Sequence, residues 1–279
     1  MINKDSLKAR VNNISNQLNI SQNVIYNRFF YDAFLSRLTF SPFKDKLILK
    51  GGLYLSSVFG VELRSTIDID FYCKNLSLKE DEIIKVIKEI SDIDFDDQIV
   101  FKLLDINKIR DDDIYGGFQV TLLGKLDNIR CQFSIDIATG DPIIPSEHSY
   151  NYKCLVTGEV LPIKVYSLES VVAEKLETVL SKGIANSRSK DYYDLYILRN
   201  LHFQNIDKTI LKEAYRKVCE YRHFNISKEN ALELLNAIKN NEQIIVRWRA
   251  YGKRVKYADG ISLDDVITFL KEWIEVCFQ

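Results

Sequence analysis

Hydrophobic residues recur at helical spacing along the first forty positions of the chain. The stretches 5–18 and 21–40 place apolar side chains three or four residues apart, which is typical of amphipathic helices. Ser21 is a favourable N-cap for the second helix, and Pro42 should end it because proline lacks a backbone N–H. The chain is therefore predicted to begin with two helices.

A short apolar run at residues 46–50 predicts a buried strand. The glycine pair Gly51–Gly52 then predicts a turn into a helix over 53–59, which Gly60 should close. This element order places a glycine turn directly between a strand and a helix.

Strict alternation of apolar and polar residues in the segment IDIDFY (67–72) predicts a further strand. Successive side chains of a strand point to opposite faces, so Asp68 and Asp70 should share one face. The opposite face should enter the core with Ile67, Ile69 and Phe71.

Residues 79–90 have the spacing of an amphipathic helix, and the pattern from 98 to 165 is mostly period-two. This pattern predicts four strands: QIVFKLLD (98–105), GFQVTLLG (117–124), IRCQFSIDIA (129–138) and VLPIKVY (160–166).

After Ser167 the pattern becomes helical, and Ser262 with Asp265 forms a capping box before the last helix. The predicted helices are LESVVAEKLETVL (168–180), KDYYDLYILRN (190–200), TILKEAYRKVCEYR (209–222), KENALELLNAIKN (228–240) and LDDVITFLKEWIEVCF (263–278). The fold class predicted is therefore α+β: a mixed-sheet domain over 1–166, then an all-α domain over 167–279.

The composition is that of an ordinary globular protein, with 46% hydrophobic and 28% charged residues among 279. A net charge of −1 gives no global attraction to nucleic acid or membrane, so an anionic partner must be met by local patches. The N-terminus is too polar for a signal peptide, no stretch predicts a membrane span, and the five scattered cysteines predict reduced thiols. We therefore expect a cytoplasmic protein without membrane contact.

Asp68 and Asp70 are the first candidates for chemistry, because like charges on one strand face repel each other. A divalent cation would offset this repulsion, and hard oxygen ligands suit Mg²⁺. Asp136, in the strand segment FSIDIA, supplies a third carboxylate of the same kind. Three carboxylates predict a two-metal site of the sort that serves phosphoryl transfer.

The Gly51–Gly52 turn allows backbone N–H groups to approach a phosphate, and the helix dipole adds attraction there. Ser65 and Thr66 offer hydroxyls just before the strand of aspartates, and Arg64 offers a charge. Without the aspartates, an ordinary turn would be the preferred interpretation of these residues. Together, the glycine turn and the three aspartates resemble the nucleotidyltransferase fold, which transfers a nucleoside monophosphate from an NTP and releases pyrophosphate.

The C-terminal half extends this resemblance. Lys175 lies in a largely apolar helix, and Asp191 and Asp194 share one face of the next helix. With LKGG, RSTIDIDF and IDI, these segments resemble the AbiEii/AbiGii toxin family, also called MenT-like nucleotidyltransferases. The resemblance runs from Lys50 to about Leu198.

The resemblance implies a role for each matching position. It implies catalytic roles for Asp68, Asp70, Lys175 and Asp191, metal ligation by Asp68, Asp70 and Asp136, and nucleotide binding by Lys50, Gly51, Gly52, Arg64, Ser65, Thr66 and Lys175. Two positions depart from the pattern. Gly52 stands where broader members have serine, which removes a hydroxyl, and Lys190 stands where arginine is commoner, which loses bidentate geometry.

Each of these residues also has a structural interpretation. Lys175 could be a solvated helix lysine paired with Glu174 or Glu177, and Asp191 and Asp194 could complement the helix dipole. The joint occurrence of the motifs in the family's order favours the functional interpretation.

The family resemblance further implies a toxin of a type IV toxin–antitoxin or abortive-infection system, with an antitoxin encoded beside it. It implies Mg²⁺ as cofactor, an NTP as donor (GTP or a pyrimidine NTP) and the tRNA 3′ end as acceptor. Two alternatives stay open: nucleotidylation of a protein side chain, on the antitoxin or the toxin itself, and a non-catalytic nucleotide-binding module.

A basic segment, IIVRWRAYGKRVKY (244–257), is the candidate surface for RNA. Its cations would meet phosphates and Trp248 would stack on a base, or else the aromatics are core and the cations a solvated face. The two interpretations are about equally weighted. The candidate RNA-binding residues are Arg188, Lys190, Arg247, Trp248, Arg249 and Arg254.

Overall fold

The computed structural model describes residues 2–66, 68–109 and 116–279. Its first part contains four helices and seven strands within those ranges. In chain order they are α1 (Lys4–Leu18), α2 (Gln22–Phe40), β1 (Leu47–Lys50), α3 (Gly51–Phe59), β2 (Asp68–Cys73), α4 (Glu80–Ser91), β3 (Ile99–Lys108), β4 (Gly117–Leu126), β5 (Ile129–Ala138), β6 (His148–Lys153) and β7 (Val160–Val165).

The strands form one mixed sheet in the order β3-β4-β5-β2-β1-β7-β6. Two neighbouring pairs are parallel, β2 with β5 and β1 with β7, and the remaining pairs are antiparallel. The strand of Asp68 and Asp70 therefore lies at the centre of the sheet, directly beside the strand of Asp136.

Helix α2 packs on one face of this sheet through aromatic side chains. Tyr31 contacts Phe133 of β5 with 5.2 Å between ring centroids, and Phe34 contacts Phe101 of β3 at 5.9 Å. Gly124 of β4 leaves room for this helix, since a Cβ there would lie 2.4 Å from the ring of Phe30. We call this side of the sheet the helix face and the opposite side the open face.

The second part is helical. Its helices are α5 (Leu168–Lys182), α6 (Ser189–His202), α7 (Lys208–Tyr221), α8 (Lys228–Lys239), α9 (Glu242–Arg254) and α10 (Leu263–Cys277). Helix α5 packs against α7 and α6, and α10 packs against α6, α7 and α8. Trp273 of α10 is fully buried and donates its indole N–H to the Leu195 carbonyl, 3.0 Å away.

The chain separates into two compact units, Met1–Gly140 with His148–Val165, and Asp141–Glu147 with Tyr166–Gln279. The segment Asp141–Glu147 lies far before residue 166, yet it belongs to the helical unit. Its Ile144 N–H donates to Ser170 Oγ at 2.8 Å, and its Asp141 forms a bidentate ion pair with Arg222. These bonds join residues distant in sequence, so a local sequence pattern does not reveal them, and the domain boundary near residue 166 stays a prediction.

The structure confirms the α+β class and the predicted helices and strands. Most of their ends agree with the prediction to within one or two residues. Ser262 caps α10 as expected, while Ser21 occupies the N-cap position of α2 without a side-chain cap bond. Two elements went unpredicted. Strand β6 alternates weakly and is mostly exposed, and α9 was considered only as a basic segment.

Ile69 and Phe71 enter the core as predicted, while Ile67 lies outside the described residues. The five cysteines form no disulfide bonds with one another. Over the described ranges, no helix is both long enough and apolar enough to cross a bilayer.

Candidate active site

The parallel register of β2 and β5 brings the three predicted carboxylates together. Asp70 is the direct neighbour of Asp136, and Asp68 is the neighbour of Ser134. Directly opposed residues point to the same face, and so do residues two apart on one strand. All three aspartates therefore lie on the open face, where each is half-buried.

Two hydrogen bonds hold the neighbouring pair of carboxylates. The Gly52 N–H donates to Asp70 Oδ2 at 3.2 Å, and Gln119 Nε2 donates to Asp136 Oδ1 at 2.9 Å. Gln119 was not predicted from the sequence. Gln119 lies opposite Asp136 in the antiparallel β4–β5 pair. The polar residue itself is visible in the sequence, but the strand register that pairs it with Asp136 is not.

The glycine turn approaches Asp70 so closely that only glycine fits. Gly51 has φ +64°, and a Cβ on it would lie 2.0 Å from Asp70 Oδ2. A Cβ on Gly52 would lie 2.7 Å from Thr66 Oγ1 and 3.3 Å from an Arg64 Nη atom. The predicted nucleotide-binding turn is thus packed directly against Asp70, Thr66 and Arg64.

The remaining predicted nucleotide-binding residues adjoin this turn. Lys50 is paired in register with Asp70 across the β1–β2 ladder. Arg64 is buried and donates to the Ser65 carbonyl, while Thr66 Oγ1 lies 3.4 Å from the Asp68 backbone nitrogen. The structure therefore brings Lys50, Gly51, Gly52, Arg64, Ser65 and Thr66 to the end of β1 and the start of β2.

The donor set fits divalent cations, because three carboxylates on one face of two neighbouring strands are hard oxygen ligands. Within the described residues, no three acidic, histidine or cysteine side chains converge on one point as they stand. Instead, one oxygen of Asp70 accepts a hydrogen bond from the Gly52 N–H, and one oxygen of Asp136 accepts one from the Gln119 amide. Metal ligation would exchange these hydrogen bonds for bonds to the ion.

In the helical unit, Lys175 of α5 joins Asp191 and Asp194 of α6. Its Nζ lies 2.7 Å from Asp191 Oδ1 and 2.8 Å from Asp194 Oδ2. Burial acts to lower the pKa of Lys175, but the two carboxylates outweigh burial and hold this pKa above its ordinary value. Lys175 is therefore a protonated, largely buried ammonium, not a solvated lysine paired with its sequence neighbours.

The two aspartates differ in their surroundings. Asp194 is fully buried, whereas Asp191 has one buried oxygen, Oδ2, without a hydrogen-bond partner among the described residues. A buried carboxylate oxygen without a donor is costly and marks a place where a further group can bind. Asp191 lies in the first turn of α6, so it also complements the helix dipole as the structural interpretation proposed, whereas Asp194 lies beyond that turn.

The basic segment at residues 244–257 forms α9 and the turn after it. Trp248 is only 5% exposed and donates its indole N–H to the Ile261 carbonyl at 2.8 Å, and Tyr251 is also buried. Arg249 and Arg254 are exposed, and Arg247 is half-buried against the Asn186 carbonyl. The structure therefore places Trp248 in the core, contrary to its predicted role in base stacking, and leaves the arginines at the surface.

The two other predicted RNA contacts, Arg188 and Lys190, are exposed at the start of α6. They lie just before Asp191 in the sequence, so two exposed cations are close along the chain to one of the carboxylates that bind Lys175.

A family model described as "Nucleotidyl transferase AbiEii toxin, Type IV TA system" matches residues 33–268 of this chain. No curated protein gives a significant sequence match.

Solved structures from Helicobacter pylori share the fold. One is described as a "putative nucleotidyltransferase" and is 14% identical, with a TM-score of 0.54 over 93% of this chain and 96% of that one. The other, JHP933, is 16% identical, with a TM-score of 0.52 over 92% and 93% of the two chains. At such identity the likeness supports the fold alone.

Proposed function

Because this chain belongs to the AbiEii nucleotidyl transferase toxin family of type IV toxin–antitoxin systems, we propose that it transfers a nucleoside monophosphate from an NTP to the 3′ end of a tRNA. The observation that carries the proposal is the register of β2 and β5, which sets Asp70 beside Asp136 with Asp68 two residues away on the same face. A glycine turn that only glycine can form adjoins them.

The transfer makes one bond and breaks one. A hydroxyl oxygen of the acceptor bonds to the α-phosphorus of the NTP, the bond from that phosphorus to the bridging oxygen breaks, and pyrophosphate leaves with the electron pair. The hydroxyl proton passes to solvent. The chain must therefore hold the triphosphate, align the hydroxyl and offset charge that develops on the leaving group.

Asp68, Asp70 and Asp136 are the residues that would hold Mg²⁺. Bound divalent cations would supply charge stabilisation for both the attacking and the leaving oxygens. The chain's own part is to keep the carboxylates on a rigid central strand pair. The N–H groups of Gly51 and Gly52, at the start of α3, would donate hydrogen bonds to a phosphate oxygen of the NTP; the Gly52 N–H donates to Asp70 Oδ2 in the structure.

Lys175 is proposed to contact the leaving pyrophosphate. An ammonium has three N–H donors, and two of them are given to Asp191 and Asp194. The third is available to a phosphate oxygen. Asp191 would orient this ammonium, and its buried Oδ2 would accept a hydrogen bond from an N–H or O–H group of the bound substrate.

The acceptor is proposed to contact the helical unit through cations that lie at its surface: Arg188, Lys190, Arg247, Arg249 and Arg254. Such residues meet phosphates without reading sequence. Trp248 is left out, since its ring is buried. GTP or a pyrimidine NTP is the proposed donor, and an antitoxin encoded beside the toxin is the proposed partner.

Incubating the purified protein with each labelled NTP, Mg²⁺ and either total RNA or cell-lysate protein tests the proposal. The expected result is label on tRNA with one preferred NTP, together with release of pyrophosphate. Label on protein alone would replace the acceptor with a side chain. NTP binding without any transfer would leave a nucleotide-binding module and contradict the proposal.

A further inference from the structure

The open face of the sheet continues well beyond the carboxylates. On β5, residues two apart share this face, so Ser134, Gln132 and Arg130 follow Asp136 outward. Arg130 lies six positions before Asp136 on this strand, a path of about 20 Å at roughly 3.3 Å per residue. No turn of the chain interrupts this path.

The neighbouring strands β4 and β3 extend this surface sideways across the sheet. On β4, Thr121 lies beside Ser134, Leu123 beside Gln132 and Lys125 beside Arg130. On β3, Lys102 lies beside Leu123, and Val100 lies beside Lys125. We call the residues Lys102, Thr121, Leu123, Lys125, Arg130, Gln132 and Ser134 the β3–β5 strip.

The strip is open to solvent and positively charged. Lys102, Arg130 and Gln132 are exposed, and Val100 at its border is 60% exposed. Within the described residues, none of the ion pairs involves Lys102, Lys125 or Arg130. Three unneutralised cations therefore share one face with the catalytic carboxylates.

Two acidic residues lie near the strip: Asp105, beside Thr121 on the same face, keeps its negative charge, and Asp127 is paired with a lysine. Asp105 of β3 accepts hydrogen bonds from the Asn107 side chain at 2.7 Å and from the Ile106 N–H at 2.9 Å. Asp127, in the β4–β5 turn, is paired with Lys4 at 3.2 Å. The excess charge of the strip is positive, although the whole chain has a net charge of −1.

We propose that the β3–β5 strip binds the sugar–phosphate backbone of the acceptor RNA strand and leads its 3′ end to Asp68, Asp70 and Asp136. Three cations with hydroxyl and amide side chains between them match a polyanion that is bound through phosphate and sugar. A protein partner would need an apolar centre, and Leu123 with Val100 offers little. The inference rests on the proposed function, since it gives that function's acceptor a second contact surface, on the sheet, in addition to the cations of the helical unit.

The direct test is the variant Lys102→Gln/Lys125→Gln/Arg130→Gln, compared with Lys79→Gln/Lys85→Gln/Lys88→Gln. The control residues are exposed cations at the start of and on α4, which packs against α2 and β3 behind the helix face. Both variants remove three positive charges from the same unit. The measurements are tRNA affinity over a salt series, KM for tRNA, and the Kd for NTP.

The strip variant should bind tRNA more weakly and show a higher KM for tRNA, while the Kd for NTP stays at the wild-type value. Losing three phosphate contacts should flatten the slope of log K against log salt by about 2, at about 0.7 per contact on a single strand. The control variant should keep the wild-type slope. Equal tRNA affinity and slope in wild type and strip variant would overturn the inference.

A second measurement uses the unaltered protein, so it does not depend on how a variant folds. Acetylation of lysines, followed by mass spectrometry, should show that tRNA protects Lys102 and Lys125 but not Lys79, Lys85 or Lys88. Equal labelling of all five with and without tRNA would overturn the inference.

The outcomes separate the inference from the function beneath it. If the wild type transfers label to tRNA but the strip variant and the footprint are unchanged, only the path is wrong. If the wild type labels protein and not RNA, the proposed acceptor fails, and the inference fails with it.

Discussion

Gly51 shows how tightly one residue is constrained at this site. It combines a positive φ of +64° with a Cβ position 2.0 Å from Asp70 Oδ2. Gly158 has a similar φ of +74°, but a Cβ on it would meet nothing within 4 Å. An alanine at Gly158 would therefore carry only the backbone strain, whereas an alanine at Gly51 would also clash with the Asp70 carboxylate.

Gly51→Ala should abolish nucleotide transfer and destabilise the protein by more than Gly158→Ala does. Both changes carry the backbone cost of a left-handed alanine, about 1 kcal/mol, but only Gly51→Ala displaces Asp70. Chemical unfolding and label transfer measure the two effects. Normal transfer by Gly51→Ala would show that Asp70 is not needed where the structure places it.

The ion cluster of Lys175, Asp191 and Asp194 yields a second residue-scale prediction. Lys175→Met leaves two buried carboxylates without their partner and should cost roughly 3–5 kcal/mol of stability. Adding Asp191→Asn and Asp194→Asn removes those charges and should restore most of it. Transfer should stay lost in the triple variant, and recovery of transfer along with stability would assign the cluster a structural role only.

The pH dependence of this cluster follows from its raised lysine pKa. The pKa of Lys175 is higher in the folded protein than its unfolded value of about 10.4. The ion pairs of Lys175 therefore contribute their full stability at any pH below about 10.4. That stability is lost only as pH rises through the higher folded pKa. We therefore expect the difference in unfolding free energy between wild type and the triple Lys175→Met/Asp191→Asn/Asp194→Asn variant to be the same at every pH between 6 and 9. Chemical unfolding measures this difference.

At the scale of elements, alternation was enough to place the aspartates correctly. IDIDFY and FSIDIA each predict a strand with carboxylates on one face, and the structure confirms both strands. The sequence could not show that β2 and β5 are parallel neighbours, because strand order depends on non-local pairing. Gln119 was missed for the same reason, since it reaches Asp136 from a different strand.

Helix α9 shows where a charge pattern misleads. Arginines and aromatics interleaved along 244–257 are compatible with an RNA surface, yet helical spacing sends Trp248 and Tyr251 inward and Arg249 and Arg254 outward. A linear pattern of basic and aromatic residues does not distinguish these faces until the helix is recognised.

Trp248→Ala should therefore act on stability and not specifically on RNA. Removing a buried tryptophan costs about 3–5 kcal/mol, whereas Arg249→Ala, at an exposed position, should change stability by less than about 0.5 kcal/mol. Thermal unfolding and tRNA binding measured on both variants decide this. A stable Trp248→Ala protein with weakened, salt-insensitive tRNA binding would favour base stacking instead.

At the scale of the whole molecule, the residues implied by the family resemblance are divided between the two compact units. Asp68, Asp70 and Asp136 belong to the first unit, and Lys175 and Asp191 belong to the second. The sequence predicted the change from sheet to helices near residue 166. It could not predict that Asp141–Glu147 joins the helical unit, since its bonds to Ser170 and Arg222 are long-range.

The central claim is that Asp68, Asp70 and Asp136 form a divalent-cation site for nucleotide transfer. The most direct test is label transfer from NTP over a Mg²⁺ series, for wild type, Asp70→Asn and Asp136→Asn. Asp127→Asn serves as control, because Asp127 is an exposed turn carboxylate of the same unit with φ +53°, which asparagine tolerates.

The account predicts Mg²⁺-dependent transfer by wild type and by Asp127→Asn. It predicts transfer lowered by orders of magnitude in Asp70→Asn and Asp136→Asn, with thermal unfolding unchanged or shifted upward as like-charge repulsion is relieved. Wild-type transfer at every Mg²⁺ concentration by folded Asp70→Asn and Asp136→Asn proteins would contradict it.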